Sequence, residues 1–471
     1  MSWNDLRQFV SHLETQGELH RIGVPVDPRH EVTAIADRVA KQPAGGPALL
    51  FEQVIGSTMP LAMNLYGSAG RMALALGVDD LNDLSARMAD FLAAGGTGLA
   101  PVLPEQEIDR EVVEPADCGF LPLPIAWPED GRPEHEGRFL TLAAVMTRDF
   151  TTGRQNLGLY RVACLAGNRL GLHMRPGSGG AGHLAGWQAA GEPMPVAIVL
   201  GADPVTTFCA TLPLPDDLDE LTLAGFLNGE PLPLVRCRTS DLLVPASAGV
   251  VIEGVIQPVE TAGEGAFGNH TGYYSGGGQV PLLQVTAVTR RREAILAATL
   301  VGPPPQENYW LAQAGSRLLL PLLQRQAPAI TDLALPREGI YHGAAIVALR
   351  KERPGQARET MAVIWADSWL RQARLLILVD ADLPVTDYAQ VYWRVLNQTV
   401  WGRDLVLADP GDPALPYGGR LGIDATRKLP GEAGCGEWPQ PLAWPTEIQE
   451  LVSRRWREYG FSENPCKDYQ T

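Results

Sequence analysis

The 471-residue sequence predicts an α/β protein built from three parts, and three observations support this fold class. Apolar residues at helical spacing alternate with short strand-like runs near both ends of the chain, whereas the middle contains mainly strand-like runs. A stretch dense in proline separates the first part from the second. We therefore expect an N-terminal α/β domain at 1–115, a central β domain at 116–320 and a C-terminal α/β domain with a parallel sheet at 321–471.

The N-terminal domain is predicted to begin with an amphipathic helix. Ser2 is the candidate N-cap, and Gly17 ends the helical pattern. A second helical stretch ends at the glycine pair Gly95 and Gly96. Seven prolines then fall within the 33 residues from 101 to 133, a density that regular elements do not tolerate, so a domain boundary is expected there. The apolar residues that define the first helix are Leu6, Phe9, Val10 and Leu13.

The central region is predicted to be a mainly antiparallel sheet or barrel. Its strand-like runs are separated by clusters of Gly, Pro, Asn and Asp. Gly167 and Asn168 tolerate the positive φ of a tight hairpin turn, which predicts that the flanking strands pair with each other. The runs are FLTLAAVMTR, NLGLYRVACLAG, NRLGLHM, MPVAIVLGAD, VVIEGVIQPV and REAILAATLV.

The C-terminal domain is predicted to contain βαβ units. The segment ENYWLAQAGSRLLLPLLQRQA is helical in pattern and introduces the domain. After it, strands alternate with helices of ordinary length, which indicates a parallel sheet. The tail EIQELVSRRWREYGF is a further amphipathic helix, suited to packing or oligomerisation. The alternating strands are AAIVALRK, ARLLILVDADL and RDLVLAD.

Charge and composition exclude several classes of partner. The formal net charge of −16 repels phosphate backbones, so nucleic acid is not an expected ligand. No apolar stretch approaches the roughly 20 residues of a membrane-spanning helix, and the start MSWNDLRQF lacks a signal-peptide pattern, which together predict a cytoplasmic protein. No CxxC pair occurs, so neither a thiolate zinc site nor a disulfide framework is expected, and the cysteines are interpreted as buried small apolar residues. They are Cys118, Cys164, Cys209, Cys237, Cys435 and Cys466.

Two glycine-containing segments concentrate polar residues suited to chemistry. In RQNLGLYR, Asn156 and Arg161 would face opposite sides of a flat strand, so joint action requires a bend that Gly158 could supply. The alternative is an edge-strand arginine in a surface ion pair. In ETAGEGAFGNHTGYYSGGGQ, Glu264 and His270 lie among glycines that permit close backbone approach to a ligand. A glycine-rich turn is the alternative, although it does not explain the ionisable residues. Aromatic walls for a conjugated ring would come from Phe267, Tyr273 and Tyr274.

Two further segments are less specific. HMRPGSGGAGHLAGW could cradle a phosphate with free backbone N–H groups, with Arg175 neutralising it. Neither a GxGxxG nor a GxxxxGK[ST] pattern is present, and His173 and His183 are more simply surface or core residues than metal ligands. The acidic run DDLDEL around Glu220 has the composition of a helix N-terminus.

Taken in order, six segments closely resemble the UbiD-type decarboxylases. They are NLGLYR, the IEG that starts at Ile252, EGAFGNHTGYY, PPPQENYWL, PGQAR and GGRLGIDATRK, and weaker matches extend from DLRQFVSHLETQGEL to RRWREYG. The resemblance implies a central split β-barrel that binds flavin and a homo-oligomer, a dimer or a hexamer. It also implies prenylated FMN supplied by a flavin prenyltransferase, and reversible, non-oxidative loss of CO2 from a small aromatic or α,β-unsaturated carboxylic acid, with no membrane insertion.

The resemblance also carries residue roles. Arg161 and Glu264 match the paired arginine and first carboxylate that orient each other and address the substrate. Asn156 and Glu220 match two of three ligands of a divalent metal, Mn2+ or Mg2+, and K+ is a further cofactor that the resemblance allows. Such hard cations suit oxygen ligands and a phosphate. The positions implied to contact the flavin are Asn156, Gly158, Leu159, Tyr160, Arg161, Ala210, Thr211, Glu220 and Arg420.

The sequence departs from the family pattern at two places. Where the third metal ligand is a histidine, this chain has Gly177 or Ser178, so His173, His183 or water would have to replace it. Where the second catalytic carboxylate is expected, this chain has Asn269, and an amide does not deliver a proton at neutral pH. Among the catalytic candidates, His270 and Glu264 could substitute for it, as could water.

These departures leave three functional hypotheses. The first is a decarboxylase with a rearranged proton relay. The second is a catalytically inactive paralogue that serves as a cofactor-binding or assembly subunit. The third is a flavin-dependent enzyme of altered reaction type in the same pocket. Loss of a general acid typically lowers the rate by about 10² to 10⁴-fold. Whether another group delivers the proton therefore distinguishes these hypotheses.

Overall fold

The computed structural model describes residues 2–96, 99–103, 110–113, 115–131, 137–408, 419–435 and 442–462. Within them the predicted α/β fold class with a central barrel is confirmed. Two sheets flank the barrel, one before it and one after it in the chain. Cys466 and Gly418, the first residue of the GGRLGIDATRK segment, lie outside the described residues.

The N-terminal part packs helices on a small sheet of order β1-β2-β3, extended beside β3 by the later strand Leu296–Ala297. The first helix begins later than predicted, because Asp5 rather than Ser2 is its N-cap and accepts a hydrogen bond from the N–H of Gln8. The second helical stretch is two helices, since Gly77 adopts a left-handed conformation and ends the first of them. The elements are α1 (Leu6–Thr15), β1 (Leu19–Ile22), α2 (Glu31–Ala40), β2 (Ala48–Phe51), β3 (Leu61–Met63), α3 (Ala69–Leu76), α4 (Asp83–Ala93) and β4 (Glu111–Val112).

The central part is a closed barrel of six antiparallel strands, in the order β5-β6-β7-β14-β11-β8 and back to β5. Alternate strand residues fill its interior, among them Val145, Val162 and Ile198, none of which is exposed. The elements are β5 (Phe139–Arg148), β6 (Gln155–Cys164), β7 (Arg169–Leu172), α5 (Gly179–Ala190), β8 (Met194–Leu200), α6 (Pro204–Cys209), α7 (Glu220–Asn228), β9 (Leu234–Arg236), β10 (Leu243–Pro245), β11 (Val250–Gly263), β12 (Phe267–Gly268), β13 (Tyr274–Ser275), β14 (Gln279–Arg290), β15 (Leu296–Ala297) and α8 (Glu307–Gln326).

Two strands of this region differ from the prediction. The barrel strand β14 was not predicted, although its alternating apolar and polar residues fit a strand with one face in the barrel. The run REAILAATLV forms only the short strand β15, which pairs in parallel with β3 of the N-terminal sheet. Its continuous apolar character reflects burial between two parts of the molecule. The domain divisions at 115 and 320 stay predictions. Two strand pairs cross the first division, since β4 pairs with β14 and β15 pairs with β3.

The C-terminal part is a five-stranded sheet of order β16-β17-β18-β20-β19. Its three central strands are parallel as predicted, whereas both edge strands, including the RDLVLAD strand, are antiparallel to their neighbours. The elements are β16 (Ile330–Ala334), β17 (Ala344–Leu349), α9 (Gln356–Asp367), β18 (Leu375–Asp380), α10 (Tyr388–Gln398), α11 (Trp401–Asp404), β19 (Leu405–Ala408), β20 (Arg420–Asp424) and α12 (Thr446–Arg455).

The described cysteines are free thiols in different environments. Cys118 and Cys209 are buried as predicted, Cys164 and Cys237 are half-buried, and Cys435 is exposed. None of the helices in the described part of the chain has the length and apolar character to cross a bilayer.

Candidate active site

A buried ion pair joins two strands of the barrel. Glu264 follows the end of β11 and is 1 % exposed, while Arg161 lies on β6, 103 positions earlier in the chain. The Arg161 Nε donates to Glu264 Oε2 at 3.0 Å, and its Nη2 donates to Oε1. The guanidinium lies over the ring of Phe267, 4.7 Å from the centroid, and Nη1 donates to Ser275 Oγ at 3.3 Å. The pair is therefore fixed on several sides, a rigid cation and anion in one wall of the barrel.

His173 is a third member of this group. It follows β7, and its Nδ1 lies 2.8 Å from Glu264 Oε1 and 3.1 Å from Arg161 Nη2. Burial favours the neutral acid of Glu264, but the hydrogen bonds from His173 and Arg161 outweigh it and hold the pKa of Glu264 below its ordinary value. Glu264 is therefore an anion at neutral pH. Because the His173 side chain is 34 % exposed, it links this buried anion to solvent.

The contact between His173 and Arg161 was not predicted, although the register of the predicted hairpin implies it. The hairpin predicted around Gly167 pairs β6 with β7 so that Val162 faces Leu172. One step further along the same register, residue 173 lies beside residue 161, and the His173 N–H donates to the Arg161 carbonyl. The hairpin prediction was thus sufficient to place the histidine next to the arginine.

A β-bulge in β5, rather than a bend at Gly158, lies opposite Arg161 of β6. In the pairing of β5 with β6, Leu140 faces Val162 and Ala143 faces Tyr160, so that two residues of β5 oppose Arg161 alone. The strand that carries the extra residue is the one that bends, so the distortion falls on β5. The predicted bend at Gly158 is wrong, because this residue keeps regular register with Val145.

The implied flavin positions lie along an open edge of β6. Because β7 pairs only with Val162–Cys164, the earlier backbone N–H groups of β6 find other partners. The Leu159 N–H donates to the Ala210 carbonyl at 2.7 Å, and the Leu157 N–H donates to Glu220 Oε2 at 3.4 Å. The structure therefore brings Gly158–Tyr160 together with Ala210 and Glu220. Thr211 follows directly, its hydroxyl donating to the Phe208 carbonyl.

The segment predicted as a phosphate-cradling loop is mostly a helix. Ser178 is the N-cap of α5, its hydroxyl accepting from the Ala181 N–H, and the glycines that follow form the first turn. Asn156 packs on this turn, since a Cβ on Gly179 would lie 2.2 Å from its Oδ1. Its Nδ2 is buried and makes no hydrogen bond among the described residues. Such an orphaned donor suits an oxygen acceptor of a bound nucleotide.

Glu220 lies at the first position of α7, as its acidic segment predicted, with Asp219 as N-cap. Burial raises the pKa of Glu220 to about 7. Among the described residues, Arg420 makes no hydrogen bond or ion pair with the other implied flavin positions, and its Nη2 donates to the Arg371 carbonyl at 2.9 Å.

Asn269 and His270 lie in the turn between β12 and β13. The Asn269 side chain accepts a hydrogen bond from the N–H of His270 at 2.8 Å. The His270 ring faces His342, with centroids 5.3 Å apart, and Tyr341, with centroids 6.0 Å apart. Burial above all, then His342 and Arg175, lower the pKa of His270 to about 3, so this imidazole is neutral at pH 7.

The predicted aromatic walls are corrected by the side-chain positions. Tyr273 is 78 % exposed and Tyr274 is 43 % exposed, while Phe267 is buried beneath Arg161. Aromatic rings near His270 come instead from Tyr341 and Tyr309, whose centroids are 6.1 Å apart. Tyr341 and His342 were not predicted near the site, because they belong to a C-terminal turn with no local link to the barrel.

Comparison with known proteins gives a consistent result along the chain. Models of the 3-octaprenyl-4-hydroxybenzoate carboxy-lyase (UbiD) family match its N-terminal domain at 10–88, its Rift-related domain at 103–304 and its C-terminal domain at 309–425. A protein of Archaeoglobus fulgidus described as uncharacterized is 37% identical over 483 residues, covering 97% of this chain and 99% of that protein.

Solved structures resemble the chain over nearly its whole length. An evolved dimeric form of the UbiD-class enzyme HmfF from Pelotomaculum thermopropionicum, in complex with prFMN, is 27% identical with a TM-score of 0.79, covering 95% of this chain and 98% of that one. The closed form of vanillic acid decarboxylase from Sedimentibacter hydroxybenzoicus is 25% identical with a TM-score of 0.89, covering 98% and 100%.

Proposed function

The chain belongs to the UbiD carboxy-lyase family, and from this premise we propose that it is a prenylated-FMN-dependent decarboxylase of an aromatic or α,β-unsaturated carboxylic acid. The observation that carries the proposal is the buried Arg161–Glu264 pair beside the open edge of β6. The cofactor, supplied by a flavin prenyltransferase, would bind along this edge. The unpartnered Asn156 amide would hold it, and the resemblance implies further contacts with the backbone of Gly158–Tyr160 and Ala210, where the Leu159 N–H and the Ala210 carbonyl already bond to each other. When bound, the modified flavin supplies the electron sink that loss of CO2 requires.

Within the protein, Arg161 has the charge to orient the substrate carboxylate. Its guanidinium is held by Glu264 and Ser275 and supported by Phe267, so its position is fixed before substrate arrives. A pre-positioned cation costs no reorganisation during the reaction.

The protein must also supply the proton that replaces CO2. Glu264 rests as an anion, so it has to receive a proton before it can give one. The geometry supports His173 as the source, because its Nδ1 is 2.8 Å from Glu264 Oε1 and its ring reaches solvent. His270 is less suited, since an imidazole with a pKa of about 3 carries no spare proton at pH 7. We therefore propose that His173 and Glu264 form the rearranged relay.

The test is turnover by protein that carries mature cofactor. The chain is co-produced with a flavin prenyltransferase, its cofactor is identified by absorbance and mass, and CO2 release is measured over benzoic, acrylic and heteroaromatic acids. We expect CO2 release from at least one acid, and a loss of about 10² to 10⁴-fold in kcat on Glu264→Gln with the cofactor retained. Glu260→Gln is the control, since Glu260 is an exposed residue of β11.

A second candidate function is a non-catalytic cofactor-binding or assembly subunit. It is favoured by Asn269, whose side chain closes its own turn and supplies no second carboxylate. The same experiment separates the two. Mature cofactor bound without turnover of any acid would contradict the decarboxylase and favour the subunit.

A further inference from the structure

The place of the third metal ligand is unusual in this chain. The family resemblance implies a histidine beside Asn156 and Glu220, yet Gly177 and Ser178 stand there. The two nearby histidines have other partners, His173 with Glu264 and His183 with the hydroxyl of Thr147, 2.9 Å away. In the described part of the chain, no group of three His, Cys, Asp or Glu residues is arranged to hold a metal ion. Two oxygen ligands and water could still hold Mg2+, so the donor count alone does not decide.

The charge at this position argues against a metal ion. A Cβ built on Gly177 would lie 2.9 Å from Arg371 Nη2, so a guanidinium occupies the space into which a side chain at 177 would extend. Gly177 also has a φ of +78°, which disfavours any other residue there. Arg371 is exposed and has no carboxylate partner among the described residues, while its carbonyl accepts from Arg420. An uncompensated positive charge repels a divalent cation and attracts a phosphate.

Apart from the Glu220 carboxylate, which accepts from the Leu157 N–H, other groups around the start of α5 favour an anion. Arg175 precedes the helix, and its guanidinium also makes no ion pair among the described residues. Asn156 packs its Oδ1 on Gly179 of the first turn, and its Nδ2 is a buried donor without a partner among the described residues. The helix N-terminus adds partial positive charge. A dianionic phosphate placed here would be neutralised by the chain itself.

We propose that this protein holds the phosphate of its flavin through Arg371 and needs no divalent metal to do so. The proposal rests on the proposed function only in that a flavin is bound along β6. The family resemblance implies a phosphate bridged to the protein by a metal ion that a histidine helps to bind. In this chain the Arg371 guanidinium would contact the phosphate in place of that histidine and its metal ion.

The test uses the purified holoprotein. Mn and Mg are measured per flavin by elemental analysis, and flavin absorbance is recorded before and after dialysis against EDTA. We expect metal well below one per flavin and no loss of flavin in EDTA. Arg371→Ala should weaken FMN binding about 10- to 100-fold, the usual size of a charge-assisted hydrogen bond. Arg371→Lys should lose less. Arg350→Ala, an exposed arginine of the same part, should change nothing.

Each contrary result has a distinct meaning. One metal per flavin, or release of flavin by EDTA, would overturn the inference and leave the decarboxylase proposal intact. Unchanged FMN affinity in Arg371→Ala would show that this guanidinium is not the phosphate partner. If protein co-produced with the flavin prenyltransferase contained no flavin, that result would contradict the proposed function itself.

Discussion

His173 connects the most buried anion of the site to solvent, and this distinguishes it from the other histidines near the barrel. His183 bonds to Thr147, and the rings of His270 and His342 have no hydrogen-bonding partner among the described residues. A relay residue must both touch the group it serves and exchange protons with water. In the described part of the site only His173 does both for Glu264.

The prediction for His173 is a slow enzyme with an intact site. His173→Asn keeps a polar group near Glu264 but carries no exchangeable imidazole proton, so kcat should fall about 10²-fold or more while KM and flavin content change little. A larger solvent isotope effect on kcat should accompany the loss, because proton delivery becomes rate-limiting. His183→Asn is the matched control and should keep the wild-type kcat. Equal kcat in His173→Asn and wild type would remove His173 from the relay.

At the residue level, the sequence could bring together only positions that a local pattern or an ordered motif links. Arg161 and Glu264 are far apart in sequence, and only the resemblance linked them before the barrel brought them together. The hairpin register implies the position of His173 beside Arg161, although this contact was not predicted. Arg371 and His342 could not be found in this way, because they approach the site through packing of the C-terminal part, which no local spacing records.

At the scale of elements, β6 and α5 form one unit through a glycine and a tyrosine. Tyr160 on β6 accepts a hydrogen bond from the Gly180 N–H in the first turn of α5, at 3.0 Å. The ring passes so close to Gly158 that a Cβ there would lie 2.6 Å from Tyr160 Cε2. The glycine is needed because it leaves room for this ring.

We therefore expect opposite results from two glycine substitutions. Gly158→Ala should displace Tyr160, free the Gly180 N–H and destabilise the fold by about 1–3 kcal/mol, with weaker flavin retention. Gly182→Ala lies on the exposed side of α5 with no atom within 4 Å of the added Cβ, so helix propensity should stabilise it by up to about 1 kcal/mol. Chemical denaturation and flavin absorbance measure both effects. Equal stability of the two variants would contradict the packing account.

Strand existence was easier to predict than sheet membership. The segments of β5, β6 and β8 follow from their apolar runs, since those patterns are local. Which sheet a strand joins depends on distant partners, and for that reason REAILAATLV was assigned to the barrel although β15 pairs with β3.

At the scale of the whole molecule, the C-terminal part completes the wall near His270. Its turn before β17 places Ile340 and Tyr341 in left-handed conformations, with φ of 47° and 71°. Such backbone is unfavourable for non-glycine residues, most of all for a β-branched one, and it persists only when surrounding contacts hold it. Tyr341 of this turn contacts His270 and Tyr309, which belong to the central part. The strained turn therefore depends on packing between the C-terminal and central parts.

This arrangement makes the interface sensitive to acid. The pKa of His270 is lowered to about 3 and that of His342 to about 4, in each case mainly by burial, with Arg175 adding repulsion. Once the interface opens and solvent reaches them, both imidazoles would have a pKa of about 6.5. The closed interface therefore binds fewer protons than the open one between these values, so its stability is complete above about pH 6.5 and declines as the pH falls toward 4.

We expect hydrogen exchange of residues 337–343 to accelerate between pH 7.5 and pH 5, after correction for intrinsic rates. The expected loss is about 1–2 kcal/mol per imidazole at pH 5. The double variant His270→Gln and His342→Gln cannot take up these protons, so its protection should change less with pH than that of wild type. Protection that falls equally in both proteins would assign the acid sensitivity to carboxylates elsewhere. A selective effect would show that the two neutral imidazoles hold the C-terminal turn against the barrel, and hence that acid opens the site at this wall.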